Sequence, residues 1–392
     1  MKYDFDTITD RRGTDSLKWD VKENELPMWV ADMDFKAAPE IIDAMNKRLS
    51  NGVFGYSVIP DEWYDAYIKW WKERHGFEIH RDWLVFCTGV IPAMSSTVRK
   101  LATADENVVV QTPVYTGFFT SIKNNGCRIL ESPLRYENGR YSMDLEDLEK
   151  KLSDPQTSLM ILCNPHNPIG IIWDRDTLAH IGMLAQKYNV TVISDEIHCD
   201  LTEPGEEYVP FASVSDICRE VSITCIAPTK TFNLAGLQTA AVCIPNAALR
   251  HKIWRALNTD EVAEPNFLAV PAAVAAFERG GEWLDELRIY ISENRKFVTE
   301  YIKENIPEIS VVDGRATYLL WLDISKVSGN SKALSGFIRE KTGLFVSAGS
   351  YFGKEGDSFF RVNIACPGSV CEDGVRRLEQ GIREYKALSD NK

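Results

Sequence analysis

The sequence predicts an α/β fold: a large unit with a mostly parallel central sheet flanked by helices, and a smaller α+β unit. Three observations predict it. Short β-branched runs alternate with helical patterns through the middle of the chain, the pattern of parallel βαβ units. Polar, turn-like stretches follow several of these runs, where open parallel sheets bind ligands. The end of the chain instead combines long amphipathic helices with a few isolated strand-like runs.

In chain order, Leu84 to Cys87 is strand-like, and Thr88-Gly89-Val90-Ile91-Pro92 then opens a helix. Val108 to Gln111, Arg128 to Glu131, Leu159 to Cys163, Val190 to Ser194, Val221 to Ile226 and Thr239 to Ile244 continue the strand set, with an amphipathic helix from Asp174 to Tyr188. Leu284 to Asn305 reads as one long amphipathic helix stopped by Pro307. Ile309 to Val312, Tyr318 to Leu322 and Phe359 to Ile364 are strand-like, and Val370 to Leu388 closes as a helix. The expected division is a large unit over 48–282 and a small unit built from both ends, 1–47 and 283–392.

Composition removes several classes. With 44 basic and 57 acidic residues the 392-residue chain carries a net charge of −13, which disfavours nucleic acid as a partner because phosphate binding relies on basic surface. A polybasic membrane-surface protein is disfavoured equally. The first twenty residues hold no apolar block, and the longest apolar stretch, Leu268 to Phe277, is about half of the roughly 20 residues a spanning helix needs. Nine scattered cysteines without a C-x-x-C pair read as reduced thiols rather than a disulfide or zinc framework. A cytoplasmic enzyme with no metal is the expectation.

Four places after strand-like runs carry candidate chemistry: Thr88–Pro92, Asn164-Pro165-His166-Asn167-Pro168-Ile169-Gly170, Asp195-Glu196-Ile197-His198, and Ala227-Pro228-Thr229-Lys230. Each has a plain structural reading alone: a turn, a helix cap, a surface lysine. Together they match the needs of pyridoxal 5'-phosphate, which takes a lysine Schiff base and an aspartate on the pyridinium nitrogen. Gly89, Val90 and Ile91 suit the phosphate because backbone N–H groups at a helix N-terminus bind anions. Thr229 offers a hydroxyl to the same phosphate, Asn167 is placed for the ring phenolate oxygen, and Tyr115 for covering a ring face.

The sequence resembles the class I/II aminotransferases of the fold-type-I group of pyridoxal-phosphate enzymes, and within them the cystathionine β-lyase/C–S lyase branch. The likeness runs from Asp10-Arg11-Arg12-Gly13-Thr14 through Trp29-Val30-Ala31-Asp32-Met33-Asp34-Phe35, Phe54-Gly55-Tyr56, Asn164–Gly170, Ser194–Asp200 and Lys230–Leu237 to Phe360–Pro367. It implies Lys230 as the Schiff-base lysine and general base, Asp195 as the pyridinium partner, Asn167 on the phenolate oxygen and Tyr115 on the ring. His198 stands where many aminotransferases carry a tyrosine, and reads equally as a cofactor ligand or a core histidine. Arg361 matches the clamp on the substrate carboxylate, suited to a bidentate fork. Tyr56 matches a residue reaching into the neighbouring subunit, which implies a homodimer with active sites at the interface. Trp29 and Asp32 read as pocket lining or as N-terminal packing.

Two departures stand out: Gln238 where aminotransferases usually carry a phosphate-binding arginine, and Ala227 where many carry serine or threonine. The implied activity is β-elimination of cystathionine or another cysteine S-conjugate, an amino-acid substrate, to pyruvate, ammonia and a thiol. Transamination uses the same core residues. A regulatory relative also implies a protein that binds a transcription activator.

Overall fold

The computed structural model describes residues 1–389. The large sheet contains β1 Leu84–Cys87, β2 Asn107–Val110, β3 Arg128–Glu131, β4 Thr157–Cys163, β5 Thr191–Asp195, β6 Ser222–Ile226 and β7 Ala240–Cys243. Their spatial order is β1-β7-β6-β5-β4-β2-β3. Only β7 runs antiparallel to its neighbours, β1 and β6; the other four pairings are parallel.

Helices cover both faces, and the strands show why. In β2, Val108 and Val110 join one core while Val109 joins the other; in β4, Leu159 and Ile161 are opposed to Met160 and Leu162. This is the two-residue alternation of a strand whose faces are both buried, so the sequence reads as an unbroken apolar run. One face packs on helices Val90–Leu101, Thr116–Asn124 and Ala247–Thr259 through Met94, Val98, Phe118, Ile122 and Ile253. The other packs on Arg175–Lys187 through Leu178 and Ile181.

The second sheet contains β8 Ser310–Val311, β9 Leu319–Asp323, β10 Ser347–Ala348 and β11 Phe359–Asn363, in the order β8-β9-β11-β10 and antiparallel throughout. A helix over Gly281–Asn305 precedes it, ending before Pro307, and Gly368–Ser389 follows it. The N-terminal segment joins this part of the molecule: Leu26–Pro27 pairs in parallel with Leu344–Phe345, and Asp34 N–H donates to Ala365 O at 2.9 Å. Helix Pro39–Leu49, by contrast, packs on helix Ala269–Arg279.

All nine cysteines are unpaired and buried. Among the described residues no helix is long and apolar enough to cross a membrane.

Candidate active site

The three strands β4, β5 and β6 are adjacent and parallel, so their carboxyl ends share one rim. Asp195 is the last residue of β5, Asn167 follows β4, and Lys230 lies on the one-turn helix Pro228–Thr231 after β6. The N-terminus of helix Val90–Leu101 meets the same rim. These elements enclose a cavity of about 730 Å³ whose wall includes Gly89, Val90, Ile91, Tyr115, Asn167, Asp195, His198, Thr229, Lys230, Arg361 and Trp29.

Lys230 Nζ donates to Ala31 O at 2.6 Å, and the buried Tyr318 hydroxyl donates to the same oxygen at 2.9 Å. Burial and the neighbouring Arg361 charge push the Lys230 amine down to about 8, with Asp32 and Asp195 pulling the other way. Burial pushes the Asp195 carboxyl up to about 6, against the pull of the Ile197 N–H at 3.2 Å and the Lys230 charge. Burial, helped by Lys230 and Arg361, drives His198 down to about 3, so its ring is neutral.

Arg361 lies on β11 and is buried. Its fork donates to Asn167 Oδ1 at 3.1 Å and to Trp29 O at 2.8 Å, and its guanidinium lies 4.7 Å from the centre of the Phe352 ring. That leaves the Asn167 amide N–H₂ available to donate. Trp29 stacks on Phe345 at 4.9 Å. At the opposite end, the first turn of helix Val90–Leu101 presents backbone N–H groups at Val90 and Ile91, while Pro92 has none. Thr88, Thr229 and Gln238 also line the cavity. Gln238 stands in the left-handed region at φ 51°, which turns the chain after Leu237.

The fit to an aromatic cofactor with a phosphate is tested by groups left without partners. His198 Nδ1 and Arg361 Nε are buried and have no hydrogen-bond partner, and both residues line the cavity. Such orphaned atoms cost free energy unless a bound group satisfies them. An amine donor, a buried carboxyl, an amide donor and a helix N-terminus around one cavity match the chemistry of pyridoxal phosphate. The residues fit.

Two residues singled out in the sequence lie outside the cavity wall: Asp32 takes the N-terminal packing role, and Tyr56 stands on the surface. Asp32 does not line the cavity: its carboxylate pairs with Arg11, Nη1 to Oδ1 at 3.1 Å and Nη2 to Oδ2 at 2.9 Å. The wall is made instead by Trp29, Val30 and Ala31, because Asn363 Nδ2 holds the carbonyls of Val30 and Asp32 at 2.6 Å each. Tyr56 is fully exposed and outside the cavity wall, on a segment without regular structure together with exposed Val53, Phe54 and Val58. Sequence reasoning missed Tyr318, Asn363, Ser347 and Phe345. Tyr318 belongs to a run read only as a strand, and nothing in its type or spacing distinguishes it from core.

Residues 24–378 match the family model for aminotransferase class I and II. The chain is 41% identical to cystathionine beta-lyase PatB of Bacillus subtilis (strain 168), over 96% of this chain and 99% of that protein. It is 33% identical to Protein MalY of Escherichia coli (strain K12), over 98% and 100%. The structure of cystalysin from Treponema denticola, which contains a pyridoxal 5'-phosphate cofactor, superposes with a TM-score of 0.95 at 34% identity, covering 98% of this chain and 100% of that one. The lysine, aspartate, asparagine and arginine that meet in the cavity therefore stand in a chain that belongs to the class I and II aminotransferase family, with the fold of fold-type-I pyridoxal-phosphate enzymes.

Proposed function

We propose that the chain is a pyridoxal 5'-phosphate-dependent carbon–sulfur lyase, acting by β-elimination on cystathionine or other cysteine S-conjugates. The observation that carries it is the meeting of Lys230, Asp195, Asn167 and Arg361 in one cavity opposite a helix N-terminus, in a chain similar to a named cystathionine β-lyase. When bound, the cofactor supplies an electron sink that lets a Cα proton and then a β-thiolate leave.

The chain's own residues do the rest. With the cofactor in place, the Val90 and Ile91 N–H groups with Thr229 would bind the phosphate, Tyr115 would cover the ring, and Asn167 would donate to the phenolate oxygen, with His198 beside it. Asp195, whose carboxyl burial pushes up to about 6, would pair with the ring nitrogen and keep its proton in place. Arg361 binds the substrate carboxylate, exchanging its present hold on Trp29 O for a bidentate one. Lys230, lowered to about 8, has a neutral fraction able to take the Cα proton. The Trp29–Phe345 stack gives the cavity an apolar aromatic wall. The departing unsaturated amine hydrolyses to pyruvate and ammonia, and the thiol is released.

A homodimer belongs to the same reading. Exposed Val53, Phe54, Tyr56 and Val58 form an apolar stretch of the kind that marks association, and Tyr56 would complete the partner's site. Residues 48–282 and the pair 1–47 with 283–392 would form the two units, supported by the all-antiparallel sheet from Ser310 onward; the packing of helix Pro39–Leu49 on Ala269–Arg279 favours moving the first boundary to before residue 39. Nine unpaired cysteines support a reducing, cytoplasmic setting.

Incubation with cystathionine, with and without a keto-acid acceptor, tests the reading. Pyruvate and thiol released without acceptor are expected; product only when acceptor is present overturns the lyase in favour of transamination.

A further inference from the structure

We propose that Thr231 and Asp200 are positioning residues for Lys230, forming a buried tie that aims the lysine at the same group Asp195 and His198 face. The inference rests on Lys230 being the cofactor lysine.

Lys230 lies on a helix of four residues, Pro228–Thr231. A single turn has little stability of its own, since helix nucleation is unfavourable and few bonds follow it. Backbone bonds from Phe232 N–H to Pro228 O and from Leu234 N–H to Thr229 O close the turn, both at 2.9 Å. They fix its shape but not its direction relative to β5. The side-chain tie is Thr231 Oγ1 to Asp200 Oδ2, 2.9 Å, between two buried residues.

Asp200 is held in turn. Its Oδ1 accepts from Trp70 Nε1 and from His75 Nε2, each at 2.9 Å. It lies on the segment that starts at Asp195 and carries His198, coiled by Cys199 N–H to Glu196 O and Leu201 N–H to His198 O at 3.0 Å. One carboxylate therefore joins three elements: the Lys230 turn, the Asp195–His198 segment, and helix Asp61–His75.

His75, Cys199 and Asp200 also bring metal-type ligand atoms within 4.8 Å of one another. Both Asp200 oxygens are already committed to three donors, and burial raises the Cys199 thiol well above its usual range. A cation would have to displace those bonds and deprotonate that thiol, so the cluster reads as a tie.

Misplacing a reacting group by about 1 Å can cost roughly 10²-fold in rate. Thr231→Val keeps the branched shape and removes the hydroxyl, leaving Asp200 Oδ2 without its donor. In the holoenzyme we expect kcat to fall about tenfold or more, toward the rate penalty of such a displacement, with KM within about twofold. We also expect faster loss of cofactor absorbance on dialysis, and recovery of both by Thr231→Ser. The proposal is overturned by a Thr231→Val enzyme with wild-type kcat, or by a loss that Thr231→Ser does not recover. If the valine variant does not yield folded protein, Thr231→Ala, which also removes the hydroxyl that Asp200 Oδ2 accepts from, is read the same way, and wild-type kcat there overturns it. Lys230→Ala separates the two levels: persistence of the lysine-linked absorbance in that variant defeats the assignment of Lys230 itself, whereas an unaffected Thr231→Val defeats only the tie.

Discussion

The two walls of the cavity are held in place by different physics. On one side Asn167, Asp195 and Lys230 follow three adjacent parallel strands, β4, β5 and β6. Their spacing is that of a hydrogen-bonded sheet whose residues are buried on both faces. On the other side residues 29–34 form no regular element. They are held by side chains: Arg11 on Asp32 and Asp34, buried Lys18 on Asp34 Oδ2 at 2.7 Å, and Trp19 Nε1 on Asp34 Oδ1 at 2.8 Å. Asn233 adds bonds to Met33 and Phe35, and Asn363 to Val30 and Asp32. The walls meet where Lys230 Nζ reaches Ala31 O. A periodic scaffold places the reacting groups, while an irregular strap held by charges shapes the space they work in.

The largest expected effect comes from breaking the sheet-borne wall. Lys230→Ala removes both the covalent anchor and the general base, and loss of a general base alone costs about 10²–10⁴-fold. Turnover of cystathionine should fall by at least that range, while the unfolding midpoint of the cofactor-free protein should shift only by the equivalent of about one hydrogen bond, ~1 kcal/mol, since the amine's bond is to Ala31 O. A urea titration beside the rate measurement separates the two. A variant retaining more than a tenth of wild-type turnover would contradict the assignment.

Asp34→Ala should do the reverse. It takes a carboxylate from Lys18, a lysine about 1% exposed, and leaves that charge with Asp32 Oδ1 at 3.8 Å. Removing one partner of a buried pair costs about 3–5 kcal/mol. The urea midpoint should shift by that equivalent, and KM should rise more than kcat falls because the strap shapes the pocket. Replacing Lys18 by Met in the same chain should recover part of the loss, since the stranded charge is then gone. No recovery would show that Arg11 and Trp19, rather than Lys18, set the cost.

The contrast between the walls also explains what could be read from the sequence. Each strand of the large sheet matches a strand-like run within about two residues; for the inner strands burial on both faces writes itself as consecutive apolar residues, while the edge strand Arg128–Glu131 keeps only Ile129 and Leu130 between charged ends. The antiparallel direction of β7 was not visible, since an apolar run carries no arrow. In the site, Asn167, Asp195 and Lys230 stood out by following such runs. Asp32 and Tyr318 did not sort themselves, because neither lies in a periodic context that assigns a face. Asp32 has a charged neighbour available on each side of the strap, and only the fold shows that Arg11 claims it. Tyr56 lies in a segment without periodic structure and is fully exposed, although Phe54 beside it packs on Phe267 at 4.9 Å.

The smallest expected effect links the walls electrically. Asp32, though outside the cavity, raises the Lys230 amine against the lowering by burial and Arg361, leaving it at about 8. Only the neutral amine attacks an aldehyde, so in the cofactor-free protein the capture rate for pyridoxal should climb with pH through about 8 and then level off. Asp32→Asn removes a charge that favours the protonated amine, so the midpoint should move to lower pH. Arg361→Gln removes a charge that disfavours it, so the midpoint should move to higher pH. Opposite shifts from Asp32 on the strap and Arg361 on β11 would show that the field at Lys230 is set jointly. If Asp32→Asn left the midpoint in place while Arg361→Gln moved it, the strap would act on the lysine through the Ala31 carbonyl alone, and its carboxylates would serve only to hold that carbonyl where it is.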